Sequence, residues 1–386
     1  MTEEEHLKRL GLEGLAQKLQ MCSLQKINPS WLDIPTYVVR RRSRMNGEEK
    51  TIEDCGKGLT VDSAIASAVY EAVERRSAEI VENKSFVTSS YTKLEQNAVP
   101  IQVLLGSQVP NDIDSLVWEW CESYDLLTKQ KIFVPANWVF FPYSAKCYVS
   151  NTTGLGAGRS LDEAVLHGMY EVIETDTLSI YMPNSLLGKP VKLEENNGRV
   201  YEAYRRCSKS DVDVSLFFLP NDSHIPVFFC LARNIPELPN VIACGVGCRL
   251  DANVAATQAI IECAQSVSFC FYDYERELPE MTDTVHPPVH FSHLHKAGKE
   301  TSIDLAAVPS VEIRSTEQET HEVLERLRDF ASHVVIADLT DPVLKIPVVR
   351  VIIPNFENGI VDGGIVKKRA QAVREALQIY VSGKGS

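Results

Sequence analysis

Three copies of one local pattern constrain what this chain can fold into. Each copy has a Gly-x-Gly pair, followed by an alanine-rich stretch with apolar residues at helical spacing that carries Glu-x-x-Glu or Glu-x-x-Gln. The pairs are Gly56-Lys57-Gly58, Gly156-Ala157-Gly158 and Gly245-Val246-Gly247. The second glycine precedes the first glutamate by 13 residues in the first two copies and by 15 in the third. We therefore predict three glycine turns, each opening a helix with a packed apolar face.

Acidic side chains recur on one face of each predicted helix. Residues three or four apart share a helix face, and the apolar residues between them imply that the rest of the helix is packed. A carboxylate at the edge of a buried face is costly unless it is compensated. Magnesium compensates it by taking oxygen ligands and coupling carboxylates to nucleotide phosphates; the alternative is three amphipathic helices with acidic outer faces. The residues concerned are Glu71, Glu74, Glu163, His167, Glu171, Glu174, Glu262 and Gln265.

The glycine pairs favour an anion site. A glycine-rich turn that opens a helix offers backbone N–H groups to an anion. Lys57 lies inside the first pair, where it would contact a phosphate; the alternative is a solvated turn lysine. The chain contains no Gly-x-x-x-x-Gly-Lys-Ser/Thr sequence, so the site is not a Walker A loop. For His167, pairing with a carboxylate is favoured over catalysis.

Taken together, these motifs resemble the YcaO family, whose members bind ATP through acid-rich helices and activate peptide backbone amides. The resemblance spans residues 30–386. It implies a mixed α/β (α+β) fold in which glycine-turn and acidic-helix units converge on one ATP and magnesium site. The motifs are Gly56-Lys57-Gly58-Leu59-Thr60, Ser67-x-x-x-Glu71-x-x-Glu74-Arg75, the run 153–158, Glu163-Ala164, Glu171-x-x-Glu174-x-Asp176, Glu262-x-x-Gln265-Ser266, the hairpin-like stretch 118–128 and the run 348–354.

The resemblance also implies roles for single residues and two segments of the chain. Residues 1–29 are expected to form an N-terminal helical segment, and residues 30–386 the catalytic domain. The residues expected to hold magnesium are Glu71, Glu74, Glu171, Glu174 and Glu262. The residues expected to bind the nucleotide are Lys57, Ser67, Glu71, Glu74, Glu163, Glu171, Glu174, Glu262 and Gln265. The residues expected to be catalytic are Glu71, Glu171 and Glu174.

The implied chemistry is ATP-dependent activation of an amide oxygen. A nucleophile adds to the amide carbon, the resulting oxyanion takes the γ-phosphoryl group, and phosphate leaves. With external sulfide the product is a thioamide; with a neighbouring Cys, Ser or Thr it is an azoline. We favour the thioamide, because azoline-forming relatives often end in a Pro-x-Pro-x-Pro tail and this chain has no proline after Pro354. The Gly56-Lys57-Gly58 motif also resembles the branch that works with TfuA-type partners.

The expected partners are a peptide or protein substrate and a partner protein that is TfuA-like or binds a leader peptide; a homodimer is also open. Two other functions stay open: a non-catalytic, nucleotide-gated peptide-binding subunit, and a metal-dependent hydrolase that uses the same carboxylates. Two positions depart from the family. Thr175 and Val267 stand where the family commonly has Arg, so we expect both to remove a cation beside the nucleotide.

Composition excludes several classes of protein. With 386 residues, 44% hydrophobic and 24% charged, the chain can bury a large core. A net charge of −13 disfavours nucleic acid as a partner, because binding its backbone needs clustered Lys and Arg. No apolar run approaches the roughly 20 residues that span a bilayer, and no signal peptide is visible, so we expect a cytoplasmic protein without a membrane partner. The ten cysteines form no Cys-x-x-Cys pair and are expected to be reduced core thiols.

Local patterns predict the remaining elements. Residues 3–22 are predicted to form one helix, and the basic run 40–44 either a solvated edge strand or the electropositive rim of a triphosphate site. The irregular stretch 278–303 is predicted to be a loop whose clustered histidines are solvated and do not bind a metal; they are His286, His290, His293 and His295. Strands are predicted over 36–40, 116–121, 132–134, 214–218, 227–232, 241–243, 334–337 and 348–353.

Overall fold

The computed structural model describes residues 2–45, 48–80, 85–106, 112–143, 150–182, 188–238, 240–276, 302–357 and 367–381. The chain divides into two compact units. The first comprises Met1–Ala72, Leu187–Pro220 and Ile225–Glu312, and the second comprises Val73–Leu186, Asn221–His224 and Ile313–Ser386. Helices and strands occur in both units, as the predicted mixed fold requires.

The strands are β1 (Met21–Lys26), β2 (Thr36–Met45), β3 (Glu48–Lys57), β4 (Val87–Ser90), β5 (Val117–Asp125), β6 (Gln130–Pro135), β7 (Leu155–Ala157), β8 (Lys189–Lys192), β9 (Asp213–Phe218), β10 (Val227–Arg233), β11 (Ala243–Cys248), β12 (Ile303–Asp304), β13 (Val335–Asp338) and β14 (Val348–Ile352).

The helices are α1 (Glu3–Arg9), α2 (Glu13–Lys18), α3 (Val61–Ala78), α4 (Tyr91–Leu94), α5 (Ile101–Leu105), α6 (Ala136–Val139), α7 (Leu161–Tyr181), α8 (Arg199–Cys207), α9 (Ala252–Glu275), α10 (Thr316–Leu327) and α11 (Lys368–Val381).

Two sheets build the first unit. Strands β1, β2 and β3 form an antiparallel sheet with β2 in the middle. A five-stranded sheet has the order β11-β10-β9-β8-β12, in which only the β8–β12 pair is parallel. Strand β10 has a neighbour on each side and is buried along almost its whole length, which explains its continuous apolar sequence. Helices α8 and α9 pack with this sheet around one apolar core.

One sheet and helix α7 organise the second unit. The sheet has the order β4-β5-β13-β14-β7, and all its pairs are antiparallel. Strand β6 pairs with β5, which confirms the hairpin predicted over residues 118–128. Helix α7 begins after Ser160, whose hydroxyl accepts the N–H of Glu163. Thirteen of its 21 residues are buried, so most of this helix is core, as its apolar spacing predicts.

The three glycine pairs lie in or directly after strands, and the prediction of three glycine turns is wrong. Gly56 lies in β3, Gly156 in β7, and both glycines of the third pair in β11. None of the six glycines has a positive φ, the backbone conformation that would have required glycine in a turn. Because the third glycine pair lies within a strand and not in a turn, the strand predicted over 241–243 is shifted. Strand β11 begins at Ala243 and continues through the glycine pair. The other seven predicted strands overlap observed ones.

The N-terminal residues form two short helices and a strand instead of one helix over 3–22. Helix α1 ends at Arg9, and Gly11 follows with a φ of 69°. Helix α2 ends at Lys18, Gln20 has a φ of 55°, and β1 begins at Met21. Two left-handed residues therefore interrupt the apolar spacing on which the single-helix prediction rested.

The basic run 40–44 lies in β2, the middle strand of its sheet, so the prediction of an edge strand is wrong. Its arginines pair with acids of the neighbouring strand β3. Arg41 is fully buried and donates from Nε to Asp54 over 2.7 Å, while Arg40 donates to Glu53 over 2.7 Å. The positive charges of Arg40 and Arg41 are therefore compensated by carboxylates of the same sheet.

Helix α9 is the one helix among the described residues that is long and apolar enough, by length and composition, to cross a membrane. Within its 24 residues, an 18-residue stretch has a mean hydropathy of 1.2, and 56% of that stretch is buried within the protein. The sequence of this helix is not a continuous apolar run, because Glu262 and Gln265 interrupt the apolar residues. The histidine-rich stretch from His286 to His295 lies outside the described residues.

Candidate functional site

Each glycine pair lets a strand lie directly against the backbone of a helix. A Cβ atom placed on Gly56 would lie 1.9 Å from the backbone nitrogen of Ala68 and 2.5 Å from the backbone oxygen of Ala64. The equivalent contacts are 2.3 Å from Gly156 to Ala164 O, 2.6 Å from Gly156 to Gly168 N, 2.4 Å from Gly245 to Ala259 O and 2.1 Å from Gly245 to Cys263 N. Close packing of strand on helix therefore explains the repeated glycines.

These contacts define the register of the three repeats. In the first two copies the contacted helix residues follow the first glycine by eight and 12 positions, and in the third by 14 and 18. The third connection is thus longer by six residues. Glu262 consequently occupies the helix position of Ser67 and His167, and the position of Glu71 is taken by Ser266, which donates to Cys244 O. The similar glycine-to-glutamate spacing of the third copy is coincidental.

In the first unit, two predicted site residues form an ion pair. Lys57 is the last residue of β3, and its Nζ lies 3.0 Å from Oε2 of Glu262 on α9. Both side chains are about one-quarter exposed, at 28% and 27%. Lys57 is therefore a paired strand residue beside a carboxylate, and the alternative of a solvated turn lysine is wrong.

Gln265 lies one turn further along α9 and connects it to the same strand. Its Nε2 donates to the backbone oxygen of Cys55 over 3.0 Å. Burial raises the pKa of the Cys55 thiol to about 12, despite the opposing effect of the Gln265 contact. The raised pKa makes the reactive thiolate form scarcer than in an ordinary cysteine, which disfavours Cys55 as a nucleophile.

In the second unit, Glu74 connects α3 to β7. Glu74 is buried, with 6% exposure, and its Oε2 accepts the backbone N–H of Ala157 over 2.9 Å. His167 of α7 is half-exposed and places Nδ1 3.7 Å from the same Oε2, so the predicted pairing of this histidine with a carboxylate is confirmed. Glu74 is thus held against the strand by a backbone donor.

Glu171 is held in a similar way at the start of β7. Its Oε2 accepts the backbone N–H of Gly154 over 3.1 Å. Gly154 has a φ of 83°, and a Cβ there would lie 2.1 Å from the backbone oxygen of Val351. A glycine is required at this turn, which fixes the donor that orients Glu171.

Glu163 lies in the first turn of helix α7, three residues after the N-cap Ser160. Its carboxylate accepts the backbone N–H of Arg159 over 2.9 Å and pairs with the Arg159 guanidinium. The side-chain hydrogen bond from Arg159 lowers the pKa of Glu163. Glu163 thus holds the residue that precedes the N-cap, and its predicted contact with a nucleotide stays a prediction. Ser67, Glu71 and Glu174 are partly buried.

The structure brings Lys57 and Glu262 together in the first unit, and Glu74 and His167 together in the second. Among the residues it describes, no group of three or more His, Cys, Asp or Glu side chains could hold a metal ion. The convergence of three helices on one magnesium site therefore stays a prediction. The donors themselves fit magnesium, since they are all carboxylate oxygens and include no thiolate.

A comparison with protein families decides the identity. A family model described as YcaO cyclodehydratase, ATP- and Mg²⁺-binding, matches residues 55–357, which is more than half of the chain. The chain belongs to the YcaO family. ATP and Mg²⁺ are therefore its cofactors, and the chain is an ATP-dependent enzyme of the YcaO type. The matched segment includes all the predicted site residues.

The chain is also similar to two further proteins and to one solved structure. A protein of Methanothermobacter thermautotrophicus is 28% identical over 389 residues, covering 94% of this chain and 97% of that protein. A protein in the tfuA 3′ region of Rhizobium leguminosarum bv. trifolii is 25% identical over 354 residues, covering 84% and 81%. The structure of YcaO from Methanopyrus kandleri, bound with AMPPCP and Mg²⁺, is 25% identical, covers 95% of both chains and superposes with a TM-score of 0.74. The last comparison confirms the predicted fold class.

The two departures from the YcaO pattern have different surroundings. Val267 is fully buried in the apolar core of the first unit, and its expected removal of a cation beside the nucleotide stays a prediction. Thr175 is partly buried, and its Oγ1 lies 3.5 Å from Oγ1 of Thr153, next to the Gly154 turn. Thr175 therefore lies beside the turn whose backbone N–H orients Glu171.

The surroundings of Asp176 are not evident from the sequence, in which this residue stands only at the end of a YcaO motif. This carboxylate is buried beside Glu357, Lys367 and Arg369. The partners are almost 200 residues apart in the sequence, so no local pattern could have identified them. The motif position of Asp176 was the one available signal.

Proposed function

We propose that this YcaO protein activates the backbone amides of a peptide or protein substrate by transferring the γ-phosphoryl group of ATP to the amide oxygen. A nucleophile first bonds to the amide carbon and leaves an oxyanion. The oxyanion takes the phosphoryl group and ADP leaves. The C–O bond then breaks with loss of inorganic phosphate. If the nucleophile is hydrosulfide, loss of its proton leaves a C=S group.

The family match carries this proposal. It covers residues 55–357 and names ATP and Mg²⁺ as the ligands. Fixed carboxylates support it in both units: Glu262 is held by Lys57, Glu74 by the Ala157 N–H, and Glu171 by the Gly154 N–H. Preorganised oxygen donors are what phosphoryl transfer requires, because its catalysis is mostly positioning and charge stabilisation.

We assign roles on this basis. The residues that hold Mg²⁺ are Glu71, Glu74, Glu171, Glu174 and Glu262, and Lys57, Ser67, Glu163 and Gln265 contact the nucleotide. Bound Mg²⁺ supplies positive charge that neutralises the phosphates. A carboxylate can accept several contacts, so the hydrogen bonds to Glu74 and Glu171 orient these side chains and are compatible with metal binding.

A thioamide made with external sulfide is the favoured product. The similarity to the protein from the tfuA 3′ region supports this choice and a TfuA-like partner that presents the peptide. The second candidate is an azoline formed at Cys, Ser or Thr, which the family description as a cyclodehydratase favours. A cytoplasmic location and a homodimer also stay predictions.

Mass spectrometry distinguishes these products. The purified chain is incubated with Mg-ATP, sulfide, a TfuA-like partner and a candidate peptide. We expect a mass gain equal to the exchange of one oxygen for sulfur, which disappears when sulfide is omitted. Loss of one water, without a need for sulfide, would replace the thioamide by an azoline.

Two further outcomes would overturn amide activation itself. Peptide cleavage that needs the metal but no ATP would identify a hydrolase. Peptide binding that is gated by nucleotide, with no covalent change and no loss in Glu171→Gln, would identify a non-catalytic subunit. Glu122→Gln is a suitable control, because Glu122 is an exposed residue of β5 that pairs with Lys131.

A further inference from the structure

A buried group of charged side chains lies at one end of helix α7 in the second unit. We call it the Asp176 cluster and define it as Asp176, Asp222, Glu357, Lys367 and Arg369. Asp176 and Glu357 are 2% exposed and Lys367 is 5% exposed. None of these residues was assigned a part in binding ATP or Mg²⁺.

Hydrogen bonds and ion pairs connect the cluster. Oδ1 of Asp176 accepts the backbone N–H of Glu357 over 2.8 Å, and its Oδ2 pairs with Arg369, which also pairs with Asp222. Oε1 of Glu357 accepts the backbone N–H of Lys367 over 2.7 Å. The cluster therefore fastens the segment after β14 and the start of α11 to helix α7.

The cluster is connected to the proposed magnesium ligands in two ways. The first is helix α7 itself, in which Asp176 follows Glu174 by two residues and Glu171 by five. The second is a cavity of about 10 Å³ lined by Thr153, Glu357 and Lys367 among apolar side chains. Thr153 precedes Gly154, the backbone donor to Glu171.

Stability alone gives no reason to keep these charges. Replacing a buried ion pair by well-packed apolar side chains is often neutral or stabilising, because burying ions is costly. A fixed geometry is a better reason, since Arg369 pairs with both Asp176 and Asp222 and thereby restricts the arrangement of the segments that they join. Glu171 and Glu174, the proposed metal ligands, lie on the same helix α7 as Asp176, so a fixed helix fixes their geometry.

We propose that Asp176 is a positioning residue, which through the Asp176 cluster holds Glu171 and Glu174 in the geometry that binds Mg-nucleotide. The inference rests on the proposed site, in which both glutamates are ligands. Asp176 itself touches neither metal nor nucleotide. It acts by fixing the helix that carries the ligands.

The test compares two buried aspartates of the same unit. Asp176→Asn keeps an acceptor for the Glu357 N–H but removes the charge opposite Arg369. Asp125→Asn is the control, because Asp125 is also fully buried and accepts bonds from Leu127, Thr128 and Val334. Calorimetric titration with Mg²⁺ and AMPPCP is done below the melting temperatures of both variants. We expect Asp176→Asn to raise the Kd about tenfold, as the loss of residues behind metal ligands does, and Asp125→Asn to leave it within about twofold.

Two further measurements separate positioning from general destabilisation. In a Glu174→Gln background, Asp176→Asn should raise the Kd by a smaller factor than it does in wild type, because one of the two ligands that Asp176 positions is already altered. If Asp176→Asn does not fold, Arg369→Gln removes the partner instead and should weaken binding in the same direction. A Kd within about twofold of wild type for the folded variant, or equal losses in Asp176→Asn and Asp125→Asn, would overturn the inference. Unchanged binding in both Glu171→Gln and Glu174→Gln would instead contradict the proposed site.

Discussion

Replacing Gly56 by alanine tests the role that the structure gives to the repeated glycines. The new Cβ would lie 1.9 Å from the Ala68 nitrogen, whereas ordinary contact begins at 3.4 Å, so strand and helix would have to separate by about 1.5 Å. Both contacted atoms belong to the backbone of a buried helix and cannot rotate away. Overpacking usually costs 1–3 kcal/mol, and this rigid contact puts Gly56→Ala at about 3 kcal/mol or more.

Gly14→Ala is the matched control. Gly14 lies in the exposed helix α2, and a Cβ there would meet nothing within 4 Å. Alanine should therefore stabilise this position by about 0.5–1 kcal/mol, because it restricts the unfolded chain and favours the helix. Urea unfolding followed by circular dichroism gives both midpoints and slopes. A Gly56→Ala midpoint equal to wild type would refute close packing as the reason for the glycines, as would shifts of the same sign in both variants.

Two further predictions concern charged groups. Asp54→Ala should cost about 3–5 kcal/mol because it leaves the buried Arg41 without its carboxylate, whereas Glu49→Ala, at an exposed pair with Arg42, should cost under about 1 kcal/mol; equal losses in urea unfolding would contradict this. Burial lowers the pKa of Lys367 from 10.5 to about 8. Between those pH values the unfolded chain holds a proton that the folded chain lacks, so the contribution of Lys367 to stability rises with pH, by at most about 1.4 kcal/mol per unit. The difference in unfolding free energy between wild type and Lys367→Met should rise accordingly, and a flat difference from pH 8 to 10 would contradict a lowered pKa.

The sequence predicted the parts of the fold that depend on local periodicity. The helices carrying Glu71, Glu171 and Glu262 form where their apolar spacing indicates. All eight predicted strands overlap observed strands, although the one predicted over 241–243 shares only Ala243 with β11. The function of the glycines could not be predicted, because a single sequence does not distinguish a glycine in a turn from a glycine that packs against a helix backbone. Their contact atoms lie on another element.

The site was predictable in its residue types and only partly in its geometry. The pairing of Lys57 with Glu262 joins residues 205 positions apart, and no local rule predicts such a contact. The register of Glu262 was hidden by a six-residue difference in the third connection. The Asp176 cluster was hidden because its members come from three separate stretches of chain. Each of these features depends on packing between residues that are distant in the sequence.

Calorimetric titration of Mg²⁺ and AMPPCP into wild type, Glu71→Gln and Glu171→Gln tests the central claim most directly, namely that these carboxylates bind the metal-nucleotide. Glutamine keeps the size and one acceptor oxygen of the side chain but removes its charge. With Glu122→Gln as the control, the account predicts at least about a tenfold rise in Kd for each site variant, equivalent to about 1.4 kcal/mol, and no change for the control. Unchanged Kd values in both Glu71→Gln and Glu171→Gln would contradict it.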